Sequence, residues 1–184
     1  MSLNKLFPSY LGDEFEVIHR MLPSAQHAPS LGDNFAFIGT EKVAVDCRLY
    51  NEWPADISFA SEIQRRMLYA LYTKHHDGHL REKCLRVIID FDDAWMPPFV
   101  FSLLGEYVIE IVSTINENKE SLAGKKSYSA FIRGNPDFIE LIESRCTSYW
   151  DCYHRHGIQK YKYKSKDEYL GIVCLDYLRK SATA

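Results

Sequence analysis

Between Ile57 and Ile115 apolar residues return at every third or fourth position, the spacing of buried helix faces. Ile57, Ala60, Ile63, Met67, Leu68, Leu71 and Tyr72 predict a helix that starts at Asp56 or Ser58 and ends near His75 or His76. Gln64, Arg65, Arg66 and Lys74 take its polar face. Asp77 offers a side-chain oxygen as N-cap for a second helix. Leu80, Cys84, Leu85, Val87 and Ile88 form the apolar side of that helix, and Arg81, Glu82 and Lys83 its solvent side. Asp90, Asp92 and Asp93 mark a break. Trp95-Met96-Pro97-Pro98 then opens a third helix with proline in its first turn. Phe99, Val100, Leu103, Leu104, Tyr107, Val108, Ile111, Val112 and Ile115 make it the most buried of the three. Gly105 inside it costs about 1 kcal/mol against alanine, which a close helix crossing would explain.

The flanking segments carry other periods. Asp13 caps a short helix to Met21, with Phe15, Ile18 and Leu22 as its buried stripe and Pro23 as its stop. Residues 23–33 read as loop. Over 34–50 the period changes to two. Phe35, Phe37, Val43, Val45, Cys47 and Leu49 alternate with small or polar residues, which predicts a hairpin turning at Gly39-Thr40-Glu41-Lys42. A lone hairpin is marginal in water and must lie against helices. Asn116 to Lys126 is polar, and a short helix follows over Ser127–Ile132. Asn135-Pro136 caps a helix to Tyr153 that buries Phe138, Ile139, Ile142, Cys146, Tyr149 and Trp150 and ends at Gly157. Ser165-Lys166-Asp167-Glu168 reads as a capping box before the last helix, with Tyr169, Ile172, Val173, Leu175, Tyr177 and Leu178 on its core face.

These elements assemble into one mainly α, multi-helix domain over 1–184: an N-terminal arm (1–33), a β-hairpin (34–50) and a helical body (56–180). The 184 residues fit one domain, since single cores span about 100 to 200 residues. With 12 Tyr, 10 Phe and 3 Trp, large rings supply the core and a possible contact surface. The net charge of −3 gives no global attraction to nucleic acid or anionic membrane. Five widely spread cysteines without a CxxC pair read as reduced thiols, which implies a cytoplasmic protein. The N-terminus reads as no signal peptide, and the glutamates and prolines of 95–115 argue against a membrane span.

The run Asp77-x-x-Leu80-Arg81-x-x-Cys84-Leu85-x-x-Ile88 resembles the second-helix pattern of HEAT-like repeats, over about residues 57–115. The resemblance implies stacked helical hairpins that bind other proteins, sometimes nucleic acid. His76-Asp77, within His75-His76-Asp77-Gly78-His79, also resembles the dyad of HD-domain phosphohydrolases, helical enzymes that activate water on bound metal. Here the dyad falls at a turn with Asp77 spent as a cap, and only loose partners such as His19 or His27 stand upstream.

Four constellations bear on chemistry. His75, His76, Asp77 and His79 are candidate metal ligands by type, set against an exposed, capped turn. Glu106 and Glu110, four apart on the third helix, are a candidate acid/base or metal-binding pair. The bland alternative gives them an exposed stripe or pairing with Arg81 or Arg86. From Tyr153 to Lys166 the chain is basic and aromatic without an acid, so Arg155, Lys160, Tyr161, Lys162, Tyr163 and Lys164 could hold phosphates and stack bases. Equally, its tyrosines could pack inward with the lysines, Lys166 included, in solvent. Cys146 and Cys152, near His154 and His156, fit zinc spacing poorly. The reading that follows is a non-catalytic protein-interaction module with an unidentified protein partner and no cofactor. A metal-dependent phosphohydrolase and a nucleic-acid binder are the alternatives.

Overall fold

The computed structural model describes residues 3–25, 27–156 and 162–183. The chain is mainly α with a small β-hairpin, and it divides into two compact units, Met1–Ile88 and Ile89–Ala184. Among the described residues no helix is long and apolar enough to cross a membrane.

The first unit opens with 3-10 turns at Leu3–Leu6 and Ser9–Leu11, neither of which the sequence pattern announces. Helix α1 (Gly12–Met21) buries Phe15 and Ile18. Asp13 is not its cap: Leu11 holds that position, and Asp13 stands in the first turn, where its charge suits the helix dipole. Strands β1 (Ser30–Leu31) and β4 (Cys47–Arg48) pair outside the main hairpin, so part of the expected loop is strand. The hairpin itself joins β2 (Phe35–Ile38) to β3 (Glu41–Ala44) through Gly39-Thr40 alone, a tighter turn than expected. Gly39 takes φ 61°, which glycine adopts without a Cβ penalty. Ala36 lies opposite Val43, and both are buried with Val45 and Leu49. Phe35 and Phe37 therefore face outward, each 41% exposed, contrary to the inward placement that their size suggests.

Helix α2 (Glu62–Tyr72) begins later than expected, because Ser61 and Gln64 form a capping box there. It packs on α1 and on α3 (Gly78–Ile88). Asp77 caps α3 as expected, its Oδ1 accepting the His79 N–H at 2.9 Å. Arg81 is the exception on α3: it is buried, not solvent-facing, and donates to main-chain carbonyls of the preceding turn.

In the second unit the expected third helix is two helices. α4 (Pro97–Leu104) is buried at every residue, and α5 (Ile109–Glu117) follows after an extended Val108. Gly105 is thus the end of a helix rather than its middle. A Cβ there would stand 3.0 Å from Arg145 Cβ, so the close approach that explains a glycine is present. The polar stretch after α5 contains an unforeseen helix, α6 (Lys119–Ala123). α7 (Lys126–Gly134) leads to α8 (Pro136–Tyr149), which continues as a π-helical turn, Trp150–His154. Tyr149 and Trp150 are half-buried, and Gly157, the expected stop, lies outside the described residues. Asn135 does not cap α8; its side chain donates back to the Phe131 carbonyl at 3.0 Å. The expected capping box also fails. Ser165 makes no side-chain cap bond, Lys166–Glu168 is a 3-10 turn, and Glu168 instead accepts the Lys164 N–H at 3.1 Å. α9 (Leu170–Thr183) packs on α5, α6, α7 and α8. Its core residues include Ile172, Cys174, Leu175 and Leu178, while Tyr177 turns out to solvent.

Candidate functional site

The histidine run is spent on its own backbone. Asp77 caps α3, and His75 Nδ1 accepts the Asp77 N–H at 3.1 Å. His75 is buried, whereas His76, Asp77 and His79 are exposed. His76 stacks on the Tyr50 ring, centroids 5.4 Å apart. Among the described residues no three His, Cys, Asp or Glu side chains gather as a metal ion would need.

The Gly105–Val108 break separates Glu106 from Glu110, so the two carboxylates do not share a helix face. Glu106 is half-buried on the linker and Glu110 is exposed in the first turn of α5.

The basic segment is described only in part, since Lys160 and Tyr161 lie outside the described residues. Tyr163 turns inward. Its ring meets Tyr169 at 5.5 Å, its carbonyl accepts the Trp150 indole N–H at 3.1 Å, and its N–H reaches the His154 carbonyl at 3.0 Å. Lys162, Lys164 and Lys166 face solvent. Arg155 pairs with Asp151 at 2.8 Å. Among the described residues of the segment, Tyr163 packs inward while Lys162, Lys164 and Lys166 are solvated.

Cys146 and Cys174 are buried in the second unit, and burial pushes both thiols up to about 12. Cys146 Sγ donates to the Leu104 carbonyl at 3.1 Å. A thiol held protonated and internal is a packing group rather than a nucleophile. Cys152 is exposed on the π-helical turn, so Cys146 and Cys152 do not form a pair.

A different cluster stands at the surface of the second unit. Tyr107, on the linker after α4, meets Tyr149 at the end of α8 and Tyr153 on the π-helical turn. The ring centroids are 6.2, 6.0 and 5.9 Å apart for the 107–149, 107–153 and 149–153 pairs. Tyr107 is 51% exposed and Tyr153 56%. The backbone explains the meeting. Four-residue spacing along α8 and its extension brings Tyr149 and Tyr153 to one side, and Gly105 lets Arg145 of α8 close on the linker that carries Tyr107. Sequence reasoning missed the cluster because it placed Tyr107 and Tyr149 inside. The usable signal was Tyr149 and Tyr153, four apart, with glycine two residues before Tyr107.

The first unit also exposes rings. Phe35 and Phe37 meet edge to face at 5.6 Å on the outer side of the hairpin. There the Lys42 ammonium already lies 3.4 Å from the Phe35 ring centroid, which covers part of the surface.

No protein-family model, no curated protein and no solved structure matches this chain.

Proposed function

We propose that the protein is a helical interaction module that binds a protein partner through Tyr107, Tyr149 and Tyr153. The observation that carries the reading is the convergence of these three rings, two of them more than half exposed. Tyrosine is enriched at binding hot spots because a large, stiff apolar ring ends in a hydroxyl that can find a partner. Tyr149 and Tyr153 stand on α8 and its π-helical extension, and Tyr107 on a four-residue linker held between α4 and α5, so little order has to be gained on binding. Helical-hairpin stacks of the HEAT-like kind present binding surfaces in the same manner. Buried, protonated thiols fit a reducing, cytoplasmic setting for such a module.

Two features favour a protein partner over nucleic acid. The net charge is −3, and Tyr163, the described tyrosine of the basic segment after Tyr153, packs on Tyr169 instead of offering its face for stacking. The test is affinity capture from the source cell with the wild-type chain and with Tyr107→Ala/Tyr153→Ala. A partner held by the wild type and lost by a folded double variant supports the reading. Equal recovery by both, or salt-sensitive binding of nucleic acid that the double variant retains, overturns it.

A further inference from the structure

The turn joining α2 to α3 in the first unit holds a titratable group that the tyrosine surface does not use. His75 is 4% exposed, and its Nδ1 accepts the Asp77 N–H at 3.1 Å. An imidazole that accepts at Nδ1 carries its proton on Nε2. That Nε2 is buried, and the Asn51 main chain lies within hydrogen-bonding range of the ring. The ring stacks with Tyr72 at 5.8 Å and meets His76 at 4.2 Å.

The same turn is tied to three elements by cations. Arg81 of α3 donates from Nη1 to the carbonyls of His75 and His76, at 2.9 Å each. Arg48 of β4 donates to the His75 carbonyl at 3.2 Å. Lys74, on the turn itself, reaches the Val45 carbonyl at 2.8 Å. Leu49, just past β4, is clasped by two main-chain bonds of 2.9 Å, giving its N–H to Lys74 and accepting that of His76. The acidic groups facing His75 are Asp77, already engaged as the cap of α3, and Glu52 from the segment after β4.

We propose that His75 is a proton-operated latch at this joint: a proton on Nδ1 sets one N–H against that of Asp77, expels the ring and releases the clasp on Leu49. No other arrangement of the charged ring keeps the Asp77 bond, because an imidazolium has no acceptor. Burial first, and His76 second, lower the pKa of His75 against the opposing pull of Asp77, Glu52 and a hydrogen bond to the Asn51 main chain. The unfolded chain takes up this proton near pH ~6.5, and the folded chain only at lower pH. The stabilising contribution is therefore whole above that value and is lost as the pH falls below it.

The experiment is urea unfolding of the full chain between about pH 8 and pH 5, a range that spans the histidine titration. It is run on wild type, His75→Gln and His76→Gln, with an NMR titration of the wild-type imidazoles. Wild-type stability should fall on the acid side, with the loss removed by His75→Gln and kept in His76→Gln. Amide exchange of His76 and Leu49 in the wild type should quicken over the same range. If His75→Gln does not fold, the wild-type titration and exchange decide alone. A His75 imidazole titrating at or above the free value, unaltered exchange at Leu49, or an acid loss that persists in His75→Gln would overturn the latch.

Discussion

Arg81 Nη1 donates to the main-chain carbonyl of His75 at 2.9 Å while the arginine itself is 1% exposed. A guanidinium taken out of water must be met by acceptors, and here the turn between α2 and α3 supplies them. Its worth is that of charged hydrogen bonds whose loss strands buried carbonyls. Arg81→Met should lower the unfolding free energy by about 2 to 3 kcal/mol, read from urea midpoints at constant slope. A change within about 0.5 kcal/mol, as for a surface site, would contradict this role.

The core of the second unit turns on a glycine. A Cβ on Gly171 would stand 2.9 Å from Cys146 Sγ and 2.9 Å from Tyr169 Cε1, both inside the unit. Neither atom ends a long flexible chain, so relief requires α8 or the Tyr169 ring to move. Gly171→Ala should destabilise by about 1 to 3 kcal/mol, the range for overpacking, despite alanine's better helix propensity. Gly171→Ala/Cys146→Ala should recover part of the loss, since it removes one of the two clashing atoms, and thermal melts of the three proteins read it.

Asp77 is predicted to act through its carboxylate on α3. Asp77→Ala should cost about 1 kcal/mol and Asp77→Asn much less, because asparagine caps nearly as well. Equal losses from both would point to the charge rather than the cap.

The sequence made the helices around Phe15, Met67, Leu85, Phe138 and Leu175 legible because burial of one stripe repeats with the helical period. It could not show the break at Gly105. The apolar spacing Leu104, Val108, Ile111 runs through the linker in phase, so periodicity is blind to a helix that stops and restarts. Arg81 was placed in solvent because its acceptors, the carbonyls of His75 and His76, become available only once the turn has folded. The period-two alternation grouped Phe35 and Phe37 with Val43 and Val45 without assigning which face of the hairpin is buried. Yet the even-numbered turn already pairs odd positions of β2 with even ones of β3, which puts Ala36, not Phe35, beside Val43. The tyrosine cluster was hidden for the same reason as Arg81. It joins a linker residue to the end of a helix 42 positions away, since 149 − 107 = 42, and only the close approach at Gly105 brings them together.

The most direct test of the interaction surface is the affinity of the captured partner for purified wild type, Tyr107→Ala, Tyr153→Ala and the double variant. The rings lie at the surface, so each variant should keep wild-type stability to within about 0.5 kcal/mol. Binding should weaken by at least about 1 kcal/mol for each single variant and about 2 kcal/mol or more for the double, as hot-spot tyrosines do. Affinities that all stay within about twofold of wild type, a difference far below the roughly 1.4 kcal/mol of a tenfold change, would contradict the proposal that this surface binds the partner.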